Sequence, residues 1–368
     1  MTIGIVGSGR MGQDLFYSLI GCECSVILVS KSPEQIEKIT KKTQRILKRD
    51  PQRMGKETPI ITDRLTDLAS CDVIIETVIE DLNVKQEIFQ RLEEIAKDTC
   101  IFATNSSSLD VTNVFNYGKA KERCLGLHFF YPLKVISTVE VNVGTDTSEE
   151  TVKEMVKFLS MIGRKPLILR GENRLVLSKL LISLAAYTYK LSFDGELTLK
   201  ELDGITKQML LFGIFEMVDS TGFPIISQCL TNLPDDLHVT LYQPLLLQIT
   251  DLMKQGKDGR SGEGLLSLED PHRKEIAIME SRAEQYEAYG LKFLSFLLNE
   301  IARYMRDPLL DKKQFEESIQ EVLGLSVSLN ALYEELQEDT LLETLIEEYK
   351  KTLDPLFCPS DFNVFRET

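Results

Sequence analysis

Thr2-Ile3-Gly4-Ile5-Val6-Gly7-Ser8-Gly9-Arg10-Met11-Gly12 opens the chain. The β-branched run before Gly7 predicts a buried strand, and the spacing of apolar residues over 13–20 predicts an amphipathic helix directly after Gly12. Between strand and helix lies Gly-x-Gly-x-x-Gly. In that setting Gly7 permits a tight turn, Gly9 lets backbone N–H groups approach a pyrophosphate, and Gly12 lets the helix pack closely on the strand. Gly7, Gly9, Met11 and Gly12 are therefore the candidate contacts of a dinucleotide at a helix N-terminus. A glycine-rich surface turn is the rival reading, and a second strand over 25–29, placed where a βαβ unit needs it, weighs against it.

Working outward, 368 residues suffice for two domains with separate cores, and 43% hydrophobic with 27% charged residues is a soluble globular composition. The net charge of −15 argues against a nucleic-acid partner. No apolar run reaches the length of a membrane span, so no membrane partner is expected. The first strand begins at residue 2 and leaves no room for a signal peptide, which leads to the expectation of a cytoplasmic protein. The seven cysteines (Cys22, Cys24, Cys71, Cys100, Cys124, Cys229 and Cys358) are odd in number and lack paired metal-ligand spacing. They read as reduced packing residues, and no metal site is expected.

After the second strand a carboxylate would ordinarily take the ribose hydroxyls of NAD. Here the sequence is Ser30-Lys31-Ser32. A hydroxyl beside an ammonium accepts a 2′-phosphate that a carboxylate would repel, so the cofactor is NAD or NADP, with the balance toward NADP. Residues 33–49 predict a helix with one apolar and one basic face. Residues 31–56 hold nine Lys or Arg against three Asp or Glu, an excess that would attract a polyphosphate ligand, with a merely solvated face as the alternative.

Strands are expected over 72–76, 100–104, 124–129, 139–143 and 166–169, and helices over 83–96 and 149–162. That alternation implies a mostly parallel sheet covered on both sides, with ligands at the carboxyl ends of its strands. Asn105-Ser106-Ser107-Ser108 follows one strand, His128 lies within another, and Glu140 lies in the next, on the face opposite Val139, Val141 and Val143. Pro132 helps the chain turn so that Glu140 returns beside the imidazole and fixes its tautomer. His128 is the general-base candidate among three histidines, the other two, His238 and His272, lying in loop-like surroundings. A core histidine and an N-capping serine turn are the plain structural alternatives.

The chain resembles the 3-hydroxyacyl-CoA dehydrogenase family through GSGRMG (7–12), DVIIETVIEDLNVKQEIF (72–89), IFATNSSSLDVT (101–112), GLHFFYPLKVISTVEV (126–141) and, more loosely, FGIFEMVDSTGF (212–223). The resemblance implies hydride transfer between a nicotinamide and an L-3-hydroxyacyl-CoA. It implies His128 as general base, Glu140 as its orienting partner, Ser107 as a donor to the substrate 3-oxygen, and Asn105, Glu80 and Lys85 beside the cofactor. It places the basic helix where the family docks coenzyme A, with Lys41, Lys42 and Lys48 as candidates. Departures accompany it. Ser178 stands where the family has an asparagine that also binds the substrate oxygen, with Asn173-Arg174 as the displaced pair if the register slips. Gly213-Ile214-Phe215 replaces Gly-Pro-Phe.

The expected organisation is an α/β Rossmann-type dinucleotide-binding domain over 1–171, followed by an all-α region with the active site in the cleft between. Residues 172–268 form the family's helical domain, which implies a homodimer. Residues 269–368 form an additional helical region resembling a degenerate second copy through Leu297–Arg303. Helices are expected over 175–191, 199–209, 241–254, 283–306 and 332–353, and the glycine-rich 256–264 reads as a structural loop. Two other functions remain open at this point: a dehydrogenase of the same fold acting on a hydroxy acid without coenzyme A, and a catalytically idle nucleotide-binding or scaffold homologue.

Overall fold

Unbroken apolar strands can be stable only with both faces covered, and the computed structural model shows how that cover is built. It describes residues 1–51, 57–171, 175–233, 238–260, 262–268 and 282–366. They fall into two units, Met1–Arg174 and Leu175–Thr368.

The first unit runs β1 (Thr2–Val6), α1 (Arg10–Leu19), β2 (Ser25–Val29), α2 (Pro33–Arg49), β3 (Ile60–Thr62), β4 (Val73–Glu76), α3 (Leu82–Ile95), β5 (Ile101–Thr104), α4 (Val111–Val114), β6 (Cys124–Phe129), β7 (Thr138–Val143), α5 (Glu149–Met161) and β8 (Lys165–Arg170). The strands form one sheet in the order β3-β2-β1-β4-β5-β6-β7-β8. Every pairing is parallel except β6 with β7. Alternate residues feed two cores. Ile3, Ile5, Val26, Leu28, Val73 and Ile75 pack with Phe16, Leu19 and Phe158 on one face. Ile27, Val29, Ile74 and Phe102 pack with Ile88, Phe89 and Leu92 on the other. β3 was not expected, because a three-residue edge strand that is exposed or half-buried carries almost no hydrophobic pattern.

Side-chain oxygens cap α2, α3 and α5: Ser32 accepts from Gln35 N, Asp81 from Val84 N, and Ser148 from Thr151 N. By contrast α1 starts at Gly9 with no side-chain cap. Its N-terminus lies at the carboxyl end of β1, where the strand order reverses between β1 and β4.

The second unit is helical: α6 (Val176–Leu191), α7 (Leu199–Met209), α8 (Ile214–Thr221), α9 (Phe223–Asn232), α10 (Val239–Lys254), α11 (Arg282–Met305), α12 (Lys312–Leu323), α13 (Leu329–Leu336) and α14 (Glu338–Thr352). α6 is buried along nearly all its length and packs on α8, α9, α10 and α11. Because α11 packs on both α6 and α7, the described part of 269–368 is continuous with the preceding helices and forms no compact unit of its own. The C-terminal segment is held from α11 as well. Asn299 and Arg303 donate to Leu356 O at 2.9 and 3.0 Å, and the Phe357 ring packs against Tyr187 and Phe296. At the Gly213 departure the glycine is what matters: a Cβ there would lie 2.1 Å from Asp203 Oδ2, the carboxylate that accepts from Phe215 N and Glu216 N and caps α8.

The single helix expected over 332–353 is two, α13 and α14, broken at Gln337, which has φ 59° and ψ 130°. A side chain at that backbone conformation is strained. Gln337→Gly is therefore expected to stabilise the protein by about 1 kcal/mol and raise its thermal midpoint. A lowered midpoint in a melting experiment would refute this.

Candidate active site

At the glycine turn, Gly7 has φ 114° and its N–H donates to Val29 O at 3.0 Å. A Cβ on Gly12 would lie 2.0 Å from Gly7 O, whereas one on Gly9 would meet nothing within 4 Å. So α1 is seated directly on the turn, and open space lies at the uncapped N-terminus where a phosphate group needs close backbone approach. The turn fits a dinucleotide pyrophosphate. Across from it, Ser30 at the end of β2 is buried and its hydroxyl lies 2.6 Å from that of Ser8 while accepting from Ser32 N at 3.2 Å. Lys31 is exposed.

The carboxyl ends of β4 and β5 carry a buried ionic network. Glu76 is fully buried, and Lys85, from α3, is 1% exposed. The ammonium lies 2.8 and 2.9 Å from the two Glu76 oxygens and 3.3 Å from Glu80. Glu76 also accepts from Val78 N and Thr104 Oγ1. Glu80 Oε1 gathers the serine turn: Ser106 Oγ at 2.5 Å, Ser107 N at 2.9 Å, and Ser108 N and Oγ at 2.8 and 3.0 Å. Burial pushes the Glu80 pKa up, but Lys85 and the hydrogen bonds from Ser106 and Ser108 outweigh it and hold the carboxyl below its usual range. Ser107, the predicted substrate-oxygen donor, is thus held by its backbone N–H. Asn105 fixes the other end of the turn, accepting from Phe129 N at 3.0 Å through Oδ1. Its side-chain oxygen therefore ties the turn to β6, the strand that bears His128.

His128 and Glu140 are direct partners in the antiparallel β6–β7 register, and Nδ1 of His128 lies 2.9 Å from Glu140 Oε2. Glu140 is fully buried and His128 is 8% exposed. Cross-strand pairing puts facing side chains on the same side of the sheet, which is why two residues twelve apart meet. A carboxylate on Nδ1 is the arrangement of a base and its orienter.

Other predicted residues belong to other elements. Lys41, Lys42 and Lys48 are exposed on α2, Lys41 paired with Glu37 and Lys42 lying 3.9 Å above the Tyr17 ring. Ser178 is buried in the first turn of α6, in the second unit. Asn173-Arg174 and His272 lie outside the described residues. Two features escaped the sequence reading. Glu76 looked like the polar end of a strand, and its role appears only once Lys85 is seen beneath it. His238 lies in the turn before α10, as expected, but it is buried, with Nε2 2.8 Å from Glu300 Oε2, and Arg303 donates to Oε1 of the same carboxylate at 2.7 Å.

None of the seven cysteines is in a disulfide, and only Cys22 and Cys358 are not buried. Burial pushes Cys71 and Cys100 up to about 12, which suits inert packing thiols. Among the described residues no group of His, Cys, Asp and Glu is arranged to hold a metal ion, and no helix is long and apolar enough to cross a membrane.

Residues 2–172 match the family model described as 3-hydroxyacyl-CoA dehydrogenase, NAD binding domain. The matched residues, a little under half of the chain, are a 3-hydroxyacyl-CoA dehydrogenase NAD binding domain. The chain is 28% identical over 281 residues to the mitochondrial hydroxyacyl-coenzyme A dehydrogenase of Rattus norvegicus, across 71% of this chain and 89% of that protein. It is 26% identical over 275 residues to the 3-hydroxybutyryl-CoA dehydrogenase of Clostridioides difficile, across 71% and 98%. In fold it is similar to a solved 3-hydroxybutyryl-CoA dehydrogenase from Escherichia coli, with a TM-score of 0.77 at 16% identity, covering 100% of this chain and 98% of that one. The fold of this chain is therefore matched over its full length, additional C-terminal helices included.

Proposed function

We propose that this protein catalyses the reversible oxidation of an L-3-hydroxyacyl-CoA to the 3-ketoacyl-CoA, with His128 as the general base. The observation that carries the reading is the His128–Glu140 pair at 2.9 Å on strands tied through Asn105 to the serine turn. When bound, the nicotinamide supplies the hydride acceptor or donor.

The protein's own residues do the rest. Gly7, Gly9, Met11 and Gly12 hold the pyrophosphate at the uncapped start of α1. Ser107 donates to the substrate 3-oxygen, and Ser178 takes the place of the family asparagine as a second donor. His128 removes the hydroxyl proton during oxidation and returns it in reduction, while buried Glu140 keeps the ring in one tautomer and stabilises the imidazolium. Lys41, Lys42 and Lys48 attract the phosphates of coenzyme A. Ser30 and exposed Lys31, with no carboxylate between them, favour the 2′-phosphate of NADP over the bare ribose of NAD. A homodimer would form through the helical unit, whose α10 exposes Val239, Leu247 and Met253. The protein would act in fatty-acid metabolism, in the cytoplasm.

The test is the absorbance of reduced cofactor after acetoacetyl-CoA is added, with NADH and NADPH in parallel. Consumption is expected with both and faster with NADPH. No consumption despite measured cofactor binding would overturn the assignment. Turnover of a free hydroxy acid in its place would transfer it to a substrate without coenzyme A.

A further inference from the structure

The network of Glu76, Lys85 and Glu80 does not balance. Among the described residues two carboxylates face one ammonium, which leaves one negative charge in excess in a site where Lys85 is 1% and Glu76 0% exposed. Both carboxylates contact donors: Glu76 meets Val78 N, Thr104 Oγ1 and Lys85, and Glu80 meets the serine turn and Lys85. Such contacts belong to ionised carboxylates. A buried charge without a counter-charge is costly, and the surrounding donors offset the cost only in part.

Its location gives the excess a use. Glu76 is the last residue of β4 and the register partner of Val6, which leads directly into the glycine turn. The strand order reverses between β1 and β4, so a dinucleotide lies across this crevice. Its adenosine ribose goes to the β2 end, at Ser30, and its other half therefore goes to the β4 and β5 ends, above the network. Of all the groups in the cofactor, only the oxidised nicotinamide ring is a cation, and hydride transfer neutralises it.

We propose that the Glu76–Lys85–Glu80 network supplies the counter-charge of the oxidised nicotinamide ring and so sets the protein's preference between oxidised and reduced cofactor. The inference rests on dinucleotide binding by the first unit and is independent of the substrate and of His128. Because the network is shielded from solvent, the preference holds across ionic strength, whereas any contribution from exposed Lys31 is screened.

The experiment measures dissociation constants of NAD⁺ and NADH, and of NADP⁺ and NADPH, without substrate. It uses calorimetry for the oxidised forms and cofactor fluorescence for the reduced ones. Glu80→Gln and Glu76→Gln each remove the excess charge at nearly constant shape. Each is expected to weaken oxidised relative to reduced cofactor by roughly tenfold, the order a unit charge exerts over about 10 Å inside a protein. Thr104→Val removes a hydrogen bond to Glu76 without altering charge and should leave the ratio unchanged. An unchanged ratio in both Gln variants would overturn the proposal, as would an equal shift in Thr104→Val. If one Gln variant binds neither form, the other decides. If both lose both forms, the network is a structural prop and the proposal fails. Failure of the unmodified protein to bind any form would instead remove the dinucleotide reading itself.

Discussion

His128→Gln is expected to lower kcat by about 10²–10⁴-fold while leaving cofactor affinity close to its original value. Glutamine approximates the volume of the ring and can still donate to Glu140 Oε2, which lies 2.9 Å from Nδ1 of the histidine. It cannot accept and return a proton near neutral pH. The position is 8% exposed and its partner is fully buried, so water substitutes poorly for the lost base. Steady-state kinetics with acetoacetyl-CoA, together with a cofactor titration, check the expectation. Undiminished turnover would remove His128 from the mechanism, and loss of cofactor binding alongside activity would point to a collapsed site.

Gly12→Ala and Gly9→Ala are expected to fail in opposite ways. The new methyl at Gly12 would sit 2.0 Å from Gly7 O and 2.5 Å from Thr77 Oγ1. The Thr77 hydroxyl is itself engaged with Val6 O and Gly7 O, so neither obstacle can step aside cheaply. α1 would have to lift off β1, at a cost of about 1–3 kcal/mol or more, with dinucleotide affinity falling as well. At Gly9 the methyl meets nothing within 4 Å and the backbone φ of −64° suits alanine. Gly9→Ala should keep its thermal midpoint yet lose at least about tenfold in cofactor affinity, because the methyl occupies the space that close backbone approach to a pyrophosphate requires. Melting curves and cofactor titrations on the two variants separate these outcomes. A stable, tight-binding Gly12→Ala protein would show that the helix need not pack so closely.

Much of the first unit could be read from the sequence because its signals are local. A β-branched run, three glycines at fixed offsets and a helical period dictate β1, the turn and α1 through sterics between near neighbours. The pairing of His128 with Glu140 was legible for a related reason: two short apolar strands joined around Pro132 leave few registers that bury both, and those two polar residues share one face. The edge strand β3 and the break at Gln337 were not legible, since neither interrupts a hydrophobic pattern strongly enough to be seen.

The sequence by itself determined that the chain begins with a dinucleotide-binding βαβ unit, that helices follow it, and that His128 is its base candidate. Tertiary structure alone decided what the remaining polar residues do. Lys85 proves to be buried between Glu76 and Glu80. Asn105 spends its side-chain oxygen on Phe129 N, and His238 has a buried partner in Glu300, 62 positions away. Charges and hydrogen-bonding groups carry no period. Their partners are chosen by which chain ends the sheet and helices bring together, and by the cost of burying any of them alone.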